Sequence, residues 1–394
     1  MKDDGNPVHI LVVDDESDLE LLIRQRFRQK IRDGAYRFSF AANGKEALDF
    51  VDNGERIDVI LSDINMPVMD GLTFLANMRD RGRPDLKTVI VSAYGDMGNI
   101  RTAMNRGAFD FVTKPIDFED LEITIEKTIL VVRDLRKAEV NREELERVNR
   151  ELEVASRIQQ AIIPKTFPAF PDRNEFDLYA EMRPALQVGG DFYDYFLLNK
   201  HELGIAIADV AGKGVPAALI MSATRALLKA EASRESSPAT CLGAVNLHLS
   251  AENISSMFVS LFYGVLDYRD GIFRYASAGH FMPYLLAGDD VRQVPRARGA
   301  VLGVDVQSRY EERHIALDRG DALFFSTDGI MEAFNREREE YSEDRLEILL
   351  RGVKDRDVRH LVQNVMADVQ AFVGSAKQSD DITAMALSYK GLSD

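Results

Sequence analysis

Between Phe118 and Ile163 the chain has neither glycine nor proline, and Pro164 and Pro168 follow at once. Those two residues are the usual interrupters of a helix. A long, charge-dense run without either predicts one long helix, stopped by the prolines. Leu145, Val148, Leu152, Ala155, Gln159 and Ile162 recur in it at 3-4-3-4-3 spacing, a heptad seam. Such a helix either packs on its own domain or pairs with a second copy. The charges between the seam positions favour an exposed coiled coil and a homodimer. The helix also divides the 394 residues into expected segments 1–125, 126–163 and 164–394. At roughly 100–200 residues per domain, each flank is long enough to build a core.

Lys and Arg number 49 against 65 Asp and Glu, a formal charge of −16. That balance disfavours DNA or an anionic membrane as main partner, since both attract a positive surface. Cys241 is the only cysteine, so neither a disulfide nor a cysteine zinc site is available within the chain. No apolar run approaches the ~18 residues of a membrane span. The opening MKDDGNP is acidic where a secretory leader is basic. These features together predict a cytoplasmic protein.

In the first segment, four short apolar runs end in chemistry. Ile10–Val13 ends at Asp14-Asp15, Val59–Leu61 leads to Asp63, Val89–Val91 to Ser92, and Phe111-Val112 to Lys114-Pro115. Helical spacings lie between them, and a further strand is expected near Arg37–Ala41. Alternating strands and helices predict an α/β domain, a doubly wound five-stranded parallel sheet, whose ligands bind at the carboxyl ends of the strands. Carboxylates gathered there repel one another unless a cation is present, and all-oxygen donors suit Mg²⁺. With a lysine and a hydroxyl beside it, one carboxylate can accept a phosphoryl group.

The motifs VVDDE, SDINMPVMDGL, VSAYG and DFVTKP resemble the receiver domain of two-component response regulators. The resemblance implies that Asp63 is the phosphoacceptor. It implies that Asp14, Asp15, Asp63 and the Asn65 carbonyl hold Mg²⁺. Lys114 would pair with the phosphate, Ser92 would move to it, and Phe111 would be the aromatic switch. The implied donor is a cognate histidine kinase or phosphotransfer protein.

The last segment has β-like runs at Gly204–Ala208, Met257–Val265, Ile272–Tyr275, Ala322–Phe325 and Ala384–Leu387. Helical stretches lie near Ala217–Ala232, Ala239–Leu249 and Val358–Phe372, so an α+β domain is expected. Asp191, Asp194, Asp209, Asp328, Asp380 and Asp381 are far apart in sequence, and strand-like residues lead into Asp209 and Asp328. Carboxylates delivered to one sheet edge make a site for divalent metal, Mg²⁺ or Mn²⁺ rather than zinc. Two such ions can activate water against a phosphoryl group.

The motifs VGGDFYDYF, IADVAGKGVPAALIMS, SAGHFMP, LFFSTDGIMEAFN and SDDITAMAL resemble the PPM-type Ser/Thr phosphatases of the SpoIIE/RsbU class. The implied fold is an αββα sandwich. The resemblance implies two Mn²⁺ or Mg²⁺ held by Asp209, the Val210 carbonyl, Asp328 and Asp380, with Asp380 preferred to Asp381. Asp191 would hold a metal-bound water, supported by Asp194 and by Gly190 in the same loop. His280 is either a proton donor or a loop anchor. Ala155, Ile158, Gln159 and Pro164 match the class's linker entry. The whole is expected to be a phosphatase gated by the receiver, acting on a phosphoserine or phosphothreonine protein such as an anti-sigma-factor antagonist. The alternative is a non-enzymatic adaptor that binds a sigma factor. The acids kept at all metal positions favour the enzyme.

Overall fold

In the computed structural model the described residues are 6–54, 56–82, 85–93, 95–235, 237–251, 257–353 and 356–392. Asp3 and Asp4 of the acidic opening and Tyr94 of VSAYG lie outside them. The chain forms two compact units, Met1–Val148 and Asn149–Asp394.

The first unit contains β1 (Val8–Val13), α1 (Ser17–Arg26), α2 (Arg28–Arg32), β2 (Tyr36–Ala41), α3 (Gly44–Asp52), β3 (Val59–Asp63), α4 (Gly71–Asp80), β4 (Lys87–Ala93), α5 (Met97–Asn105) and β5 (Asp110–Lys114). It also holds the first part of α6 (Phe118–Ile162). The sheet is parallel in the order β2-β1-β3-β4-β5. All six residues of β1 are buried, which is why it is apolar throughout: a central parallel strand is covered on both faces. Ile10 and Val12 pack with Leu19, Ile23, Ile125 and Ile129 on one face. Leu11 and Val13 pack with Leu48 and Phe74 on the other, the two-residue alternation of a strand. The expected weak strand is present as β2. Because β2 and β3 flank β1, the chain order reverses there and opens a crevice at the carboxyl ends of β1 and β3.

The long helix is a single element of 45 residues. Leu121, Ile125, Ile129 and Val132 bury its first turns in the first unit. Arg136 then donates to the Ile57 carbonyl at 2.8 Å and pairs with Asp58. The heptad seam divides. Leu145 is 61% exposed and Val148 39%, whereas Gln159 is only 5% exposed. The end of the seam is thus used within the second unit, where a continuous exposed seam was expected.

The second unit contains β6 (Phe176–Arg183), β7 (Phe192–Leu197), β8 (Glu202–Val210), α7 (Val215–Ala232), α8 (Pro238–Ala251), β9 (Val259–Asp267), β10 (Ile272–Ala278), β11 (Tyr284–Ala287), β12 (Asp290–Gln293), β13 (Arg313–Ala316), β14 (Ala322–Ser326), α9 (Asp328–Met331), α10 (Glu343–Gly352), α11 (Val358–Val373) and β15 (Ile382–Tyr389). Two antiparallel sheets, β13-β10-β9-β8-β7 and β12-β11-β14-β15-β6, face each other. Their aromatic residues meet between them, with the Phe262 and Phe325 rings 5.7 Å apart. Helices α7 and α8 cover the first sheet, and α10 and α11 the second, giving the αββα sandwich. The predicted runs are β8, β9, β10, β14 and β15. Strands β6, β7 and β11–β13 and helices α3, α9 and α10 were not anticipated. Among the described residues no helix is long and apolar enough to cross a membrane.

Candidate functional site

Strand ends assemble the first acidic centre. Asp14 follows β1, Asp63 closes β3, and Lys114 closes β5. The Lys114 ammonium donates to Asp63 Oδ2 at 2.9 Å, to Asp14 Oδ2 at 3.0 Å and to Glu16 Oε1 at 3.0 Å. Oxygens of Asp14, Glu16 and Asp63 lie within 4.8 Å of one another. Glu16, not Asp15, is the third acid of that group; Asp15 is exposed outside it. Glu16 directly follows the quoted pair, and its position in VVDDE was the available signal. Burial comes first in raising the Asp14 carboxyl above its ordinary value, and Asp63 adds to it. Burial works against the Lys114 charge, yet its bonds to Asp63, Asp14 and Glu16 hold its pKa above an ordinary lysine's.

The Asp63 carboxylate is held by its own loop. Its Oδ1 accepts from Ile64 N at 2.6 Å and from Asn65 N at 3.4 Å. Gly71 closes this loop, because a Cβ there would lie 2.1 Å from the Asp63 carbonyl oxygen. Asn65 is exposed beside it. Ser92 is fully buried, and its hydroxyl has no hydrogen-bond partner. Phe111 is 36% exposed and faces out of the core.

The second acidic centre lies at one end of the two facing sheets. Asp209 is the penultimate residue of β8, Asp328 follows the β14 edge, Asp380 and Asp381 precede β15, and Asp191 precedes β7. These acids do not draw together within 4.8 Å as the first group does. They still act on one another. Burial first, then the charge of Asp328, pushes Asp209 up to about 7, although Asp191 hydrogen-bonds to it. Burial, Glu332 and Asp380 push Asp328 up to about 6. Asp191 is almost fully buried, and burial, Asp209 and Asp381 raise it far above a normal carboxyl.

The structure separates roles that spacing left together. Asp191 Oδ2 accepts from the hydroxyls of Thr327 at 2.7 Å and Thr383 at 2.6 Å. Asp194, expected to support Asp191, pairs instead with Arg225 of α7 at 2.9 Å. Asp381 is buried and accepts from the backbone N–H groups of Ala185 at 2.7 Å, Gly190 at 2.6 Å and Asp191 at 3.4 Å. Its lone pairs are therefore committed to the loop. Asp380 is more open and meets Lys213 at 2.9 Å. His280 is buried with Nδ1 at 2.8 Å from Ser260 Oγ, and burial lowers its pKa to about 4. Ser277 anchors the same turn, accepting from His280 N and donating to its carbonyl, both at 3.0 Å. Thr327, Thr383, Lys213 and Arg225 were not singled out in the sequence, although Thr327, Thr383 and Lys213 lie within the motifs LFFSTDGIMEAFN, SDDITAMAL and IADVAGKGVPAALIMS.

The donor set fits divalent metal at this centre. It is all oxygen, two of its carboxyls are pushed toward neutrality by mutual repulsion and burial, and Lys213 is the cation paired with it among the described residues. Asp14, Glu16 and Asp63 offer only oxygen donors, within 4.8 Å of one another, which suits a hard cation.

Comparison with known proteins agrees with both geometries. Residues 10–126 match the model of the response regulator receiver domain, and residues 199–390 match that of stage II sporulation protein E. The chain is 32% identical over 118 residues to sporulation initiation phosphotransferase F of Bacillus subtilis, covering 30% of this chain and 90% of that protein. It is 31% identical over 216 residues to phosphoserine phosphatase RsbU of Bacillus subtilis, covering 55% of this chain and 63% of that protein. Its match thus spans less than two thirds of the phosphatase-type relative. The structure of the SiaA-PP2C domain of Pseudomonas aeruginosa superposes with a TM-score of 0.57 at 23% identity. That match covers 63% of this chain and 99% of that one, a likeness of fold. These matches fall on the parallel sheet of the first unit and on most of the sandwich of the second, which begins at Phe176, and the chain belongs to the response regulator receiver family, with a second segment that matches the stage II sporulation protein E model.

Proposed function

We propose that this chain is a cytoplasmic response regulator in which phosphorylation of Asp63 controls a metal-dependent protein serine/threonine phosphatase. The observation that carries the reading is the second acidic centre, where Asp209 and Asp328 are held far above ordinary carboxyls with few cations nearby. Such an arrangement is costly without a cation and useful with one. Asp209, the Val210 carbonyl, Asp328 and Asp380 would hold two Mn²⁺ or Mg²⁺. When bound, the ions supply an activated water and a grip on phosphoryl oxygens. The chain's own work is positional. Thr327 and Thr383 orient Asp191, whose carboxyl is raised far above its ordinary range by burial and then by Asp209 and Asp381. Asp381 ties the 185–191 loop to β15. His280 is neutral near pH 7 and serves as a turn anchor.

In the receiver, Asp14, Asp15, Asp63 and the Asn65 carbonyl would hold Mg²⁺, with Glu16 added by its proximity. Lys114 already lies where it can meet phosphoryl oxygens on Asp63, and the unpartnered Ser92 hydroxyl is free to turn to them. Phe111 would report the state through packing. A cognate histidine kinase or phosphotransfer protein supplies the phosphoryl group. The substrate is a phosphoserine or phosphothreonine protein, and the relative named a phosphoserine phosphatase supports that class. An anti-sigma-factor antagonist is the substrate to test first. The exposed Leu145 and Val148 on α6 are the part of the seam left to join a homodimer. The boundaries 1–125, 126–163 and 164–394 remain the proposed division.

The test is Mn²⁺-dependent hydrolysis of a phosphoserine protein and of an aryl phosphate, with and without beryllofluoride on the receiver. Metal-dependent turnover that changes with beryllofluoride supports a gated enzyme. No turnover in either state overturns the enzyme and leaves the adaptor.

A further inference from the structure

The Gln159 side chain is 5% exposed, on the last turn of a helix whose neighbouring residues Ile158 and Gln160 face solvent. A buried carboxamide is costly unless its atoms are paired. Here a single residue pairs both ends. Gln159 Nε2 donates to the Gly189 carbonyl at 2.6 Å, and Gln159 Oε1 accepts from Gly189 N at 3.1 Å.

Gly189 opens the loop that delivers Asp191, and that loop has no slack. A Cβ on Gly189 would lie 2.5 Å from Asp381 Oδ2, and a Cβ on Gly190 would lie 2.9 Å from the Val210 carbonyl. The backbone therefore runs between Asp381 on one side and the carbonyl next to Asp209 on the other. Gly190 N donates to Asp381 Oδ2 at 2.6 Å, and Asp191 N meets the same oxygen at 3.4 Å. One side chain of the helix thus grips a backbone residue whose next neighbour abuts Val210 and whose second neighbour is Asp191.

We infer that Gln159 is a positioning residue through which the end of α6 sets the loop carrying Asp191, and with it the divalent-cation affinity of the acidic centre. A side chain needed only to finish the helix would satisfy itself on its own helix or in water. This one is spent on the loop's backbone. Gln159 and Gly189 both belong to the second unit, so the contact lies within one compact body. The inference deepens the proposed function and rests on it for what the cation does, but not for whether it binds.

The experiment is calorimetric titration of Mn²⁺ into the full chain carrying Asp14→Asn, which removes a receiver acid, with and without Gln159→Leu. Turnover on an aryl phosphate is measured alongside, with Gln159→Glu as a second variant. Supporting groups around a metal site are worth about 10–100-fold in affinity. Gln159→Leu is expected to weaken Mn²⁺ binding about tenfold or more while circular dichroism stays that of the parent. Gln159→Glu, whose second oxygen would face the Gly189 carbonyl, should weaken it as well. Parental Mn²⁺ affinity in a folded Gln159→Leu overturns the inference. If Gln159→Leu does not fold, Gln159→Glu decides by the same criterion. A parent that binds Mn²⁺ without hydrolysing phosphoesters would sink the phosphatase reading alone, whereas a parent that binds no Mn²⁺ sinks both.

Discussion

Lys114 Nζ lies 2.9 Å from Asp63 Oδ2, joining the ends of β5 and β3 across the crevice of the parallel sheet. The same ammonium holds Asp14 and Glu16, so one cation organises three carboxylates. Lys114→Ala is expected to remove that compensation and to weaken the response to beryllofluoride. Asp63→Asn should take up no phosphoryl group from acetyl phosphate, read by intact mass on acid-quenched protein. Both variants should keep the metal-dependent basal turnover of the second unit. Loss of basal turnover in Asp63→Asn would contradict independent sites.

The acidic centre of the second unit predicts a pH-dependent stability. Burial, and then Asp328, raise Asp209 to about 7. A carboxyl raised on folding contributes stability that is full below its unfolded value and is lost as pH rises through the folded value. In EDTA, the melting temperature of the unit should therefore fall between about pH 4 and pH 8, by on the order of a few °C. Mn²⁺ should restore it at pH 8. Asp209→Asn should flatten the EDTA curve and lower metal-dependent turnover by about 10²-fold or more. Thermal scans by circular dichroism test the first part, and a steady melting temperature across that range would refute it.

Asp194 is 1% exposed and faces the Arg225 guanidinium at 2.9 Å. Removing one member of a buried pair leaves a charge without compensation, about 3–5 kcal/mol. Arg225→Met should destabilise the second unit by that order in urea unfolding, and adding Asp194→Asn should recover part of the loss. If the double variant is no more stable than Arg225→Met, the pair is not what holds α7 to β7.

His280 has its pKa lowered to about 4 by burial. Its depressed value makes it neutral from pH 6 to 8, with stability lost only as pH falls through the ordinary histidine range toward 4. His280→Asn is expected to lower the melting temperature while leaving the shape of the pH–rate profile unchanged between pH 6 and 8. A limb of that profile disappearing with His280 would restore the proton-donor role.

Much of the chain was legible because its signals are local. The apolar runs before Asp14, Asp63, Asp209 and Asp328 are strands that carry their acid at the end, and each strand announces itself within a few residues. The glycine- and proline-free run from Phe118 to Ile163 pointed to one long helix, and α6 spans Phe118–Ile162, starting eight residues before the boundary expected at 126. β6 carries the strand period, with Phe176, Leu178 and Ala180 buried at alternate positions, but Asp177 and Glu181 keep it from forming an apolar run. β11–β13 are only four residues long, too short for a periodic signal.

The residues by themselves determined the two domain types, the helix between them, and the acids each domain brings to a strand end. Only the tertiary structure decided what each acid does. Asp380 and Asp381 are adjacent and chemically identical, yet Asp381 is consumed by three backbone N–H groups while Asp380 faces Lys213. Asp191 and Asp194 are three residues apart, but one meets two threonines and the other an arginine on α7. Gln159 occupies a seam position by spacing and is claimed by Gly189, 30 residues away. Strand and helix are set by periodicities of a few residues. A carboxylate's role is set by which donors and charges lie within hydrogen-bonding reach of it, and those come from distant parts of the chain that only folding brings together.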